Sequence, residues 1–206
     1  MARITKAPEE RKQEIIETAL ELFSEKGYEN TTIQDIANRM NVATGLCYRY
    51  FKSKKEIFAA TSEYYAKQAV EKFQTHLPAK SSAIEKFNFI IKSLFEYAIS
   101  HNEFEASYHD EPEISANRLD QLAKQIVVKM IPVVEQGISE NVFQCSDIPS
   151  TLNFLTFGIV HMIHIEMPSQ NPKNHIISFV PVIRELCNRV LKVSTPDNLG
   201  VGWENL

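Results

Sequence analysis

Apolar residues recur along this chain every three or four positions, the spacing that places them on one face of an α-helix. The first stripe consists of Ile15, Ile16, Ala19, Leu20 and Phe23. It predicts a helix that begins at Pro8 and ends at Gly27, because proline suits a first helical turn and glycine the position after a last one. A second, shorter stripe consists of Ile33, Ile36, Ala37 and Met40.

The second stripe opens a segment, Thr31 to Glu56, that reads as two short helices joined by a turn. Thr31 and Gln34 have the spacing of a capping box. The pattern breaks at residues 41–42 and resumes with Leu46, Cys47, Tyr50 and Phe51. Helices this short must pack on a neighbour, and the preceding helix offers an apolar stripe. The result is the three-helix plan of a helix-turn-helix domain.

Basic residues are concentrated in this segment, although the whole chain has a formal net charge of −4. They are Arg39, Arg49, Lys52, Lys54 and Lys55, with no acidic residue from 39 to 55. Such a patch can hold DNA phosphates; an ordinary solvated helix face is the alternative. Ser53 and Glu56 form a second capping box, so the next helix should begin at Lys54 and turn its free N–H groups toward a phosphate. The first seven residues, with Arg3 and Lys6, could form a basic arm.

The remaining pattern predicts long helices and an all-α fold. A helix from Lys54 to about residue 76 should link the helix-turn-helix unit, 1–53, to a second helical unit, 54–206. Ser82 and Glu85 form a third capping box. Helices are then expected at about 83–98, at 102–110 (broken by Pro112), at 115–136, at 149–166 and at 172–192. The tail after Pro196 is expected to be loose or docked by Trp203.

Cysteines and motifs exclude several function classes. Cys47, Cys145 and Cys187 have no metal-type or redox-type spacing and read as reduced thiols of a cytoplasmic protein. The most apolar run, 152–167, is too short to span a membrane, and no signal peptide is expected. A Gly-rich phosphate loop, Gly-x-Ser-x-Gly and His-Glu-x-x-His are all missing from the sequence. An enzyme on a helical scaffold is therefore the weaker alternative, and no cofactor is expected.

Residues 10 to 60 resemble the N-terminal domain of the tetracycline-repressor (TetR) family of bacterial transcription regulators. The matching residues are Ala19, Leu22, Phe23, Gly27, Tyr28, Thr31, Thr32, Ile36, Ala37, Val42, Gly45, Tyr48, Tyr50, Phe51, Lys54, Ile57 and Phe58. The rest of the chain matches that family only in being helical. The resemblance implies a regulator that binds double-stranded DNA through a DNA-binding domain, 1–53, and responds to a small molecule through a helical effector-binding and dimerisation domain, 54–206.

The resemblance also implies which residues approach DNA. Residues 43–51 would form the recognition helix. The expected DNA-binding residues are Thr31, Thr32, Thr44, Gly45, Leu46, Tyr48, Arg49, Tyr50 and Lys54. Arg49 is the best candidate for reading a guanine edge, because its guanidinium can bond two acceptors at once. Ala43 stands where the family often has Ser or Thr, so the recognition helix should lack its usual cap. Leu46 replaces a more usual small hydroxyl residue, which removes a polar contact and could favour a thymine methyl.

The last two helices are apolar on more than one face, which predicts burial in a homodimer through a four-helix bundle. A two-fold dimer suits a palindromic operator; a thick monomeric core is the alternative. By resemblance, a pocket for a hydrophobic or aromatic effector should be lined by Phe95, Phe104, Tyr108, His109, Met130, Phe154, Phe157 and His161. His161 and His164 share a helix face, and packing, dimer contact or a ligand hydrogen bond is preferred there over a metal.

The leading hypothesis is a homodimeric repressor that a small effector releases from its operator. The main alternative is a DNA-binding regulator without a small-molecule effector, controlled by a protein partner. The sequence does not identify the operator, the regulated genes or the effector, and it does not decide between repressor and activator.

Overall fold

The computed structural model describes residues 7–73, 80–100, 112–164, 167, 168 and 170–206, and in these residues all regular structure is helical. The helices are α1 (Pro8–Lys26), α2 (Ile33–Arg39), α3 (Thr44–Tyr50), α4 (Lys54–Phe73), α5 (Ala83–Ser100), α6 (Pro112–Ser139), α7 (Ile148–His164) and α8 (Pro172–Leu191), followed by a 3₁₀ turn, Pro196–Asn198. The all-α fold is confirmed.

Contacts divide the chain into two compact units, one ending at Ala66 and the other beginning at Lys67. The boundary lies inside α4, whereas the sequence placed a functional boundary between residues 53 and 54. That functional division stays a prediction.

The core of the first unit joins α1, α2, α3 and the beginning of α4. Ile15, Ile36, Cys47 and Ile57 are fully buried, one from each helix. Phe51 is 3% exposed, which agrees with its expected place in the core. Helix α1 begins at Pro8 and is closed by Gly27, whose φ of 79° belongs to the left-handed region, so both predicted ends are right.

The second unit is built from the remaining helices. Helix α6 packs along α5 and α7, and α7 packs against α8. The interior is filled by large side chains that are fully buried, among them Phe87, Phe95, Ile126, Met130, Leu152 and Trp203. The Ser82–Glu85 capping box is present: Ser82 N–H donates to Glu85 Oε2 at 2.7 Å, and Glu85 N–H donates to Ser82 Oγ at 3.4 Å.

The bounds of α6 differ most from the prediction. Helix α6 runs from Pro112 to Ser139, three residues longer at each end than expected. Pro112 was read as a helix breaker but is the first residue of the helix, where a missing N–H costs nothing. The helix predicted at 102–110 lies outside the described residues. None of the helices in the described ranges has the length and hydropathy needed to cross a membrane.

The C-terminal tail is docked through its tryptophan. Trp203 is fully buried, its ring lies edge-on to Phe95 with centroids 5.9 Å apart, and its Nε1–H donates to the Asn88 carbonyl at 3.1 Å. Of the two predicted possibilities, loose or docked, the second is confirmed.

Candidate nucleic-acid interface

The turn between α2 and α3 is fixed by its backbone. Asn41 has a φ of 55°, a conformation that asparagine tolerates better than most residues. Val42 N–H donates to the Ala37 carbonyl at 2.9 Å. Because this backbone hydrogen bond and the conformation of Asn41 close the turn, the backbone alone sets the angle between the two short helices.

A side-chain contact also joins the two short helices. Ala43 precedes α3 without a side-chain cap, as predicted. The Thr44 hydroxyl donates to Gln34 Oε1 on α2, and Gln34 Nε2 donates to Asn38 Oδ1 at 2.8 Å. Sequence reasoning had assigned Gln34 to a capping box, so this exposed bridge was missed.

The cap of α2 is displaced by one residue from the prediction. Thr32 Oγ1 accepts the Asp35 N–H at 3.1 Å, and Asp35 Oδ2 accepts the Thr32 N–H at 2.9 Å. These hydrogen bonds from Thr32 lower the pKa of Asp35. Thr31 is instead fully buried, and its hydroxyl donates to the Gly27 carbonyl at 2.8 Å. The predictions that Thr31 caps α2 and contacts DNA are therefore wrong, since a buried hydroxyl cannot reach a phosphate.

Helix α3 divides cleanly into an inner and an outer face. Cys47 is fully buried, and this burial raises the pKa of its thiol, which fits a small hydrophobe better than a redox sensor. Tyr48 is 55% exposed, and Gly45 and Arg49 are exposed beside it. The other predicted contact residues of this helix, Thr44, Leu46 and Tyr50, are half-buried.

Arg39 and Lys54 make contacts within the first unit. Arg39 Nη2 lies 2.7 Å from Glu25 Oε2, and this hydrogen bond raises the pKa of the guanidinium and lowers that of the carboxyl. Lys54 Nζ donates to the Tyr28 carbonyl at 3.0 Å and lies 4.2 Å from the centre of the Tyr28 ring. Lys54 thus holds the turn after α1, a role that the sequence did not reveal; its contact with phosphate stays a prediction.

Two other cationic side chains, Arg49 and Lys52, are better placed for an external partner. Arg49 and Lys52 are exposed, and no ion pair to either occurs within the described residues. Helix α4 begins at Lys54 as predicted, with Glu56 N–H donating to Ser53 Oγ at 3.1 Å. In a capping box the Glu56 carboxylate would accept the N–H of Ser53, the cap residue itself. It instead accepts the N–H of the preceding residue, Lys52, at 2.6 Å.

The predicted effector residues of the second unit fall into three groups. Phe95 and Met130 are buried in the core, and Phe157 is half-buried. Phe154 is 71% exposed, and its contact with an effector stays a prediction. Phe104, Tyr108 and His109 lie outside the described residues.

His161 has an acidic partner that the sequence did not indicate. Its Nε2 lies 3.1 Å from Asp120 Oδ1 on α6. His164 Nδ1 lies 2.7 Å from the carbonyl of Val160 in its own helix. Within the described residues, no group of three or more His, Cys, Asp or Glu side chains could hold a metal ion. Asp120 was missed because it is distant in sequence and no local spacing signals it.

The first unit also matches a known family. Residues 15–61 match the family model described as bacterial regulatory proteins, tetR family, and this match covers α2, α3 and the turn described above. Residues 15–61 therefore form a TetR-family domain. The sequence-based resemblance to TetR regulators is thereby confirmed. The prediction of a regulator rather than an enzyme is also confirmed, because the matching proteins are transcriptional regulators.

Individual relatives agree with that membership. The HTH-type transcriptional repressor KstR2 of Mycobacterium tuberculosis is 24% identical over 149 residues, which is 70% of this chain and 74% of the relative. The HTH-type regulator YuxN of Bacillus subtilis is 29% identical over 118 residues, which is 57% of this chain but only 40% of YuxN. The matched part of this chain thus spans well under two thirds of the length of some relatives.

Solved structures show the same fold beyond the N-terminal unit. The structure of RolR in complex with resorcinol superimposes on this chain with a TM-score of 0.68, at 16% sequence identity. The matched region covers 92% of this chain and 91% of RolR. The C-terminal helices therefore share the fold of a TetR regulator although their sequence carries no recognisable motif.

Proposed function

We propose that this TetR protein is a homodimeric repressor that works in the cytoplasm and binds a palindromic operator through α3. The observation that carries the proposal is the outer face of α3, where Gly45, Tyr48 and Arg49 are exposed on a helix whose opposite side is locked into the core by Cys47. A short helix held rigidly with its polar face outward suits insertion into the major groove.

Each exposed side chain of α3 has a distinct proposed role. Arg49 would bond the O6 and N7 acceptors of a guanine, because its planar guanidinium matches both at once. Tyr48 would donate its hydroxyl to a phosphate or base edge. Thr32, at the exposed start of α2, and Lys52 would contact phosphates and fix the register of the protein on the duplex. Thr44, Leu46 and Tyr50 would flank the contact.

The homodimer is proposed from apolar side chains that the second unit leaves exposed on α7 and α8. Phe154 is 71% exposed on α7, and Val182 and Leu186 are 40% and 38% exposed on α8. Large apolar side chains grouped on two neighbouring helices are typical of an interface. A second copy would cover them and produce the two-fold symmetry that a palindromic site requires.

The effector is proposed to be a small, largely apolar molecule. Two of the predicted lining residues, Phe95 and Met130, lie in the apolar interior of the second unit. RolR was solved with resorcinol, a small aromatic molecule, and its fold resembles that of this chain. A ligand can release DNA only if it binds one conformation of the dimer more tightly than the other.

The operator is to be identified by selecting bound duplexes from a random pool. Arg49→Ala and Tyr48→Phe should then weaken binding to the selected site in an equilibrium titration, because each removes hydrogen bonds to DNA. Losing the bidentate contact of Arg49 is worth about 1–3 kcal/mol, or roughly tenfold to a hundredfold in Kd. Lys124→Ala, which removes one exposed positive charge from α6, is the control and should leave the Kd nearly unchanged.

The two parts of the proposal fail separately. If no duplex is enriched, or if Arg49→Ala and Tyr48→Phe bind like the parent, the DNA-binding role of α3 is wrong. If DNA binds but no compound in a library of small aromatic and aliphatic molecules releases it, only the effector proposal is wrong. A regulator controlled by a protein partner would then be favoured.

A further inference from the structure

The second unit contains an open cleft of about 680 Å³. It lies between the first three turns of α5, the end of α6 with the following loop, and the C-terminal tail. Its volume is within the range of small-molecule sites. None of its lining residues belongs to the predicted effector set or to the candidate DNA interface.

One end of the cleft carries two carboxylates. Glu85 Oε2 accepts the Ser82 N–H at 2.7 Å, and Glu140 Oε2 accepts the Ala83 N–H at 2.9 Å. These backbone hydrogen bonds hold the pKa of both carboxyls below the ordinary value, while the charge of Glu85 acts on Glu140 in the opposite direction. Both groups are therefore ionised and close enough to repel each other.

Neither carboxylate is neutralised by a hydrogen-bonded cation among the described residues. Lys86 is the nearby ammonium that stabilises the charge of Glu140, but its Nζ donates to Gln136 Oε1 at 2.6 Å. In the cap, Glu85 accepts hydrogen bonds only at Oε2. Both oxygens of Glu140 accept neutral donors, Oε1 from Gln136 Nε2–H and Oε2 from the Ala83 N–H, and these leave its charge uncompensated. A cation placed in the cleft would remove the repulsion between the carboxylates.

The middle of the cleft is apolar, and the opposite end carries an ion pair. Phe89, Val142 and Val201 line the middle, and Val201 is 64% exposed. Lys92 lines the far end and lies 3.6 Å from Glu96. Seven residues separate Lys92 from Glu85, so the two ends are about 10 Å apart along the helix axis.

The wall formed by the tail is held in place. The Asn88 side chain accepts the Gly200 N–H at 2.8 Å and donates to the Asn198 carbonyl at 2.8 Å. Trp203 donates to the Asn88 carbonyl from the same stretch of tail. A cleft whose walls are fixed before binding loses little entropy when a ligand enters.

We propose that this cleft binds a small organic cation, a primary ammonium attached to an aromatic or aliphatic body. The ammonium lies between Glu85 and Glu140, and the body covers Phe89, Val142 and Val201. One positive charge suffices, because Glu85 and Glu140 are the acidic residues that line the cleft and a second ammonium would lie against its apolar middle or the Lys92–Glu96 pair. The ligand class thus differs from the largely apolar effector proposed for the interior.

The test compares three probes on the full chain by calorimetry. Phenethylammonium should bind, 3-phenylpropionate should not, and the dication putrescine should bind more weakly than phenethylammonium. Trp203 is the sole tryptophan and belongs to the tail that lines the cleft, so its fluorescence should change with the same saturation curve. Equal binding of 3-phenylpropionate, or no binding of phenethylammonium at millimolar concentration, would overturn the proposal.

Variants locate the binding within the cleft. The double variant Glu85→Gln/Glu140→Gln keeps an oxygen acceptor for each backbone N–H but removes both charges, and it should weaken binding of phenethylammonium by about tenfold or more. Glu135→Gln removes an exposed charge from α6 outside the cleft and should bind like the parent. Equal affinity of the double variant and the parent would exclude this site.

A further variant does not depend on the cap of α5. Val201→Lys adds a positive charge at an exposed position of the cleft, where folding should be unaffected, and it should abolish binding of phenethylammonium. Unchanged binding would overturn the proposal. DNA titrations of the same variants should match the parent, so these results are independent of the proposed repressor function.

Discussion

At the scale of single residues, Gly45 is a glycine that the fold of the chain does not require. A Cβ added at Gly45 would meet no atom within 4 Å, and its φ is not in the left-handed region. Gly137 is the opposite case, because a Cβ there would lie 2.1 Å from the Phe143 ring. The protein interior therefore explains Gly137, whereas Gly45 fits a close approach by a partner outside the chain.

Gly45→Ala should accordingly separate stability from DNA binding. Alanine in place of glycine in an exposed helix should raise the free energy of unfolding by about 0.5–1 kcal/mol. The added methyl should weaken operator binding by roughly tenfold, equivalent to about 1.4 kcal/mol, because it stands between α3 and the groove. Thermal unfolding and a DNA titration measure the two effects. An unchanged Kd would contradict the proposed approach of α3 to DNA.

At the scale of elements, the start of α2 shows how packing selects one of two adjacent threonines. Thr31 and Thr32 both have a hydroxyl that can cap, but Thr31 is fully buried and bonds carbonyls of the α1 end. Thr32 therefore caps α2 with Asp35. The hydrogen bonds of this cap lower the pKa of Asp35. Ionised Asp35 therefore stabilises the folded state above the unfolded-state pKa, and this stabilisation is lost as the pH falls through the folded-state pKa.

Thr32→Ala should lower the free energy of unfolding by about 1 kcal/mol at neutral pH, the usual cost of losing an N-cap. The difference in unfolding free energy between parent and variant should shrink below about pH 4, the ordinary range of an aspartate. Protonated Asp35 is a weaker acceptor for the Thr32 hydroxyl and N–H, so less is lost when the hydroxyl is removed. Thr32→Ser keeps the hydroxyl and is the matched control. Urea unfolding at several pH values tests this, and a difference independent of pH would argue against the Thr32–Asp35 box.

The C-terminal tail is an element fixed by one aromatic side chain. Trp203→Ala should destabilise the protein by about 3–5 kcal/mol, the cost of deleting a large buried side chain. Trp203→Phe should cost less, because it keeps most of the contact with Phe95 and loses mainly the hydrogen bond to Asn88. Thermal unfolding of both variants measures this. Equal stability of parent and Trp203→Ala would mean that the tail is not docked in solution.

At the scale of the whole molecule, not every exposed apolar side chain predicts an interface. Val128 on α6 is 60% exposed, and its exposed neighbours one turn away are Lys124 and Pro132. Leu186 and Val182 share a face of α8, one turn apart. A pair of apolar side chains on one helix face, with Phe154 exposed on the helix that packs against it, supports an interface better than an isolated valine does.

Leu186→Glu should therefore convert a dimer into a monomer, because a charge buried in an apolar interface has no partner there. Val128→Glu adds the same charge at a more exposed position and should leave the dimer intact. Light scattering coupled to size-exclusion chromatography measures the mass of each. A parent mass equal to one chain would disprove the proposed dimer directly, and a dimeric Leu186→Glu variant would place the interface elsewhere.

The sequence by itself determined the helices and the helix-turn-helix, because apolar periodicity, caps and glycine or proline signals are local. Helix ends at Pro8, Gly27 and Lys54 followed from such signals. Only the tertiary structure decided which polar groups meet across the chain: Arg39 with Glu25, Lys54 with Tyr28, and His161 with Asp120. These pairs are separated by many residues, and their meeting depends on how whole helices pack, which no local spacing encodes.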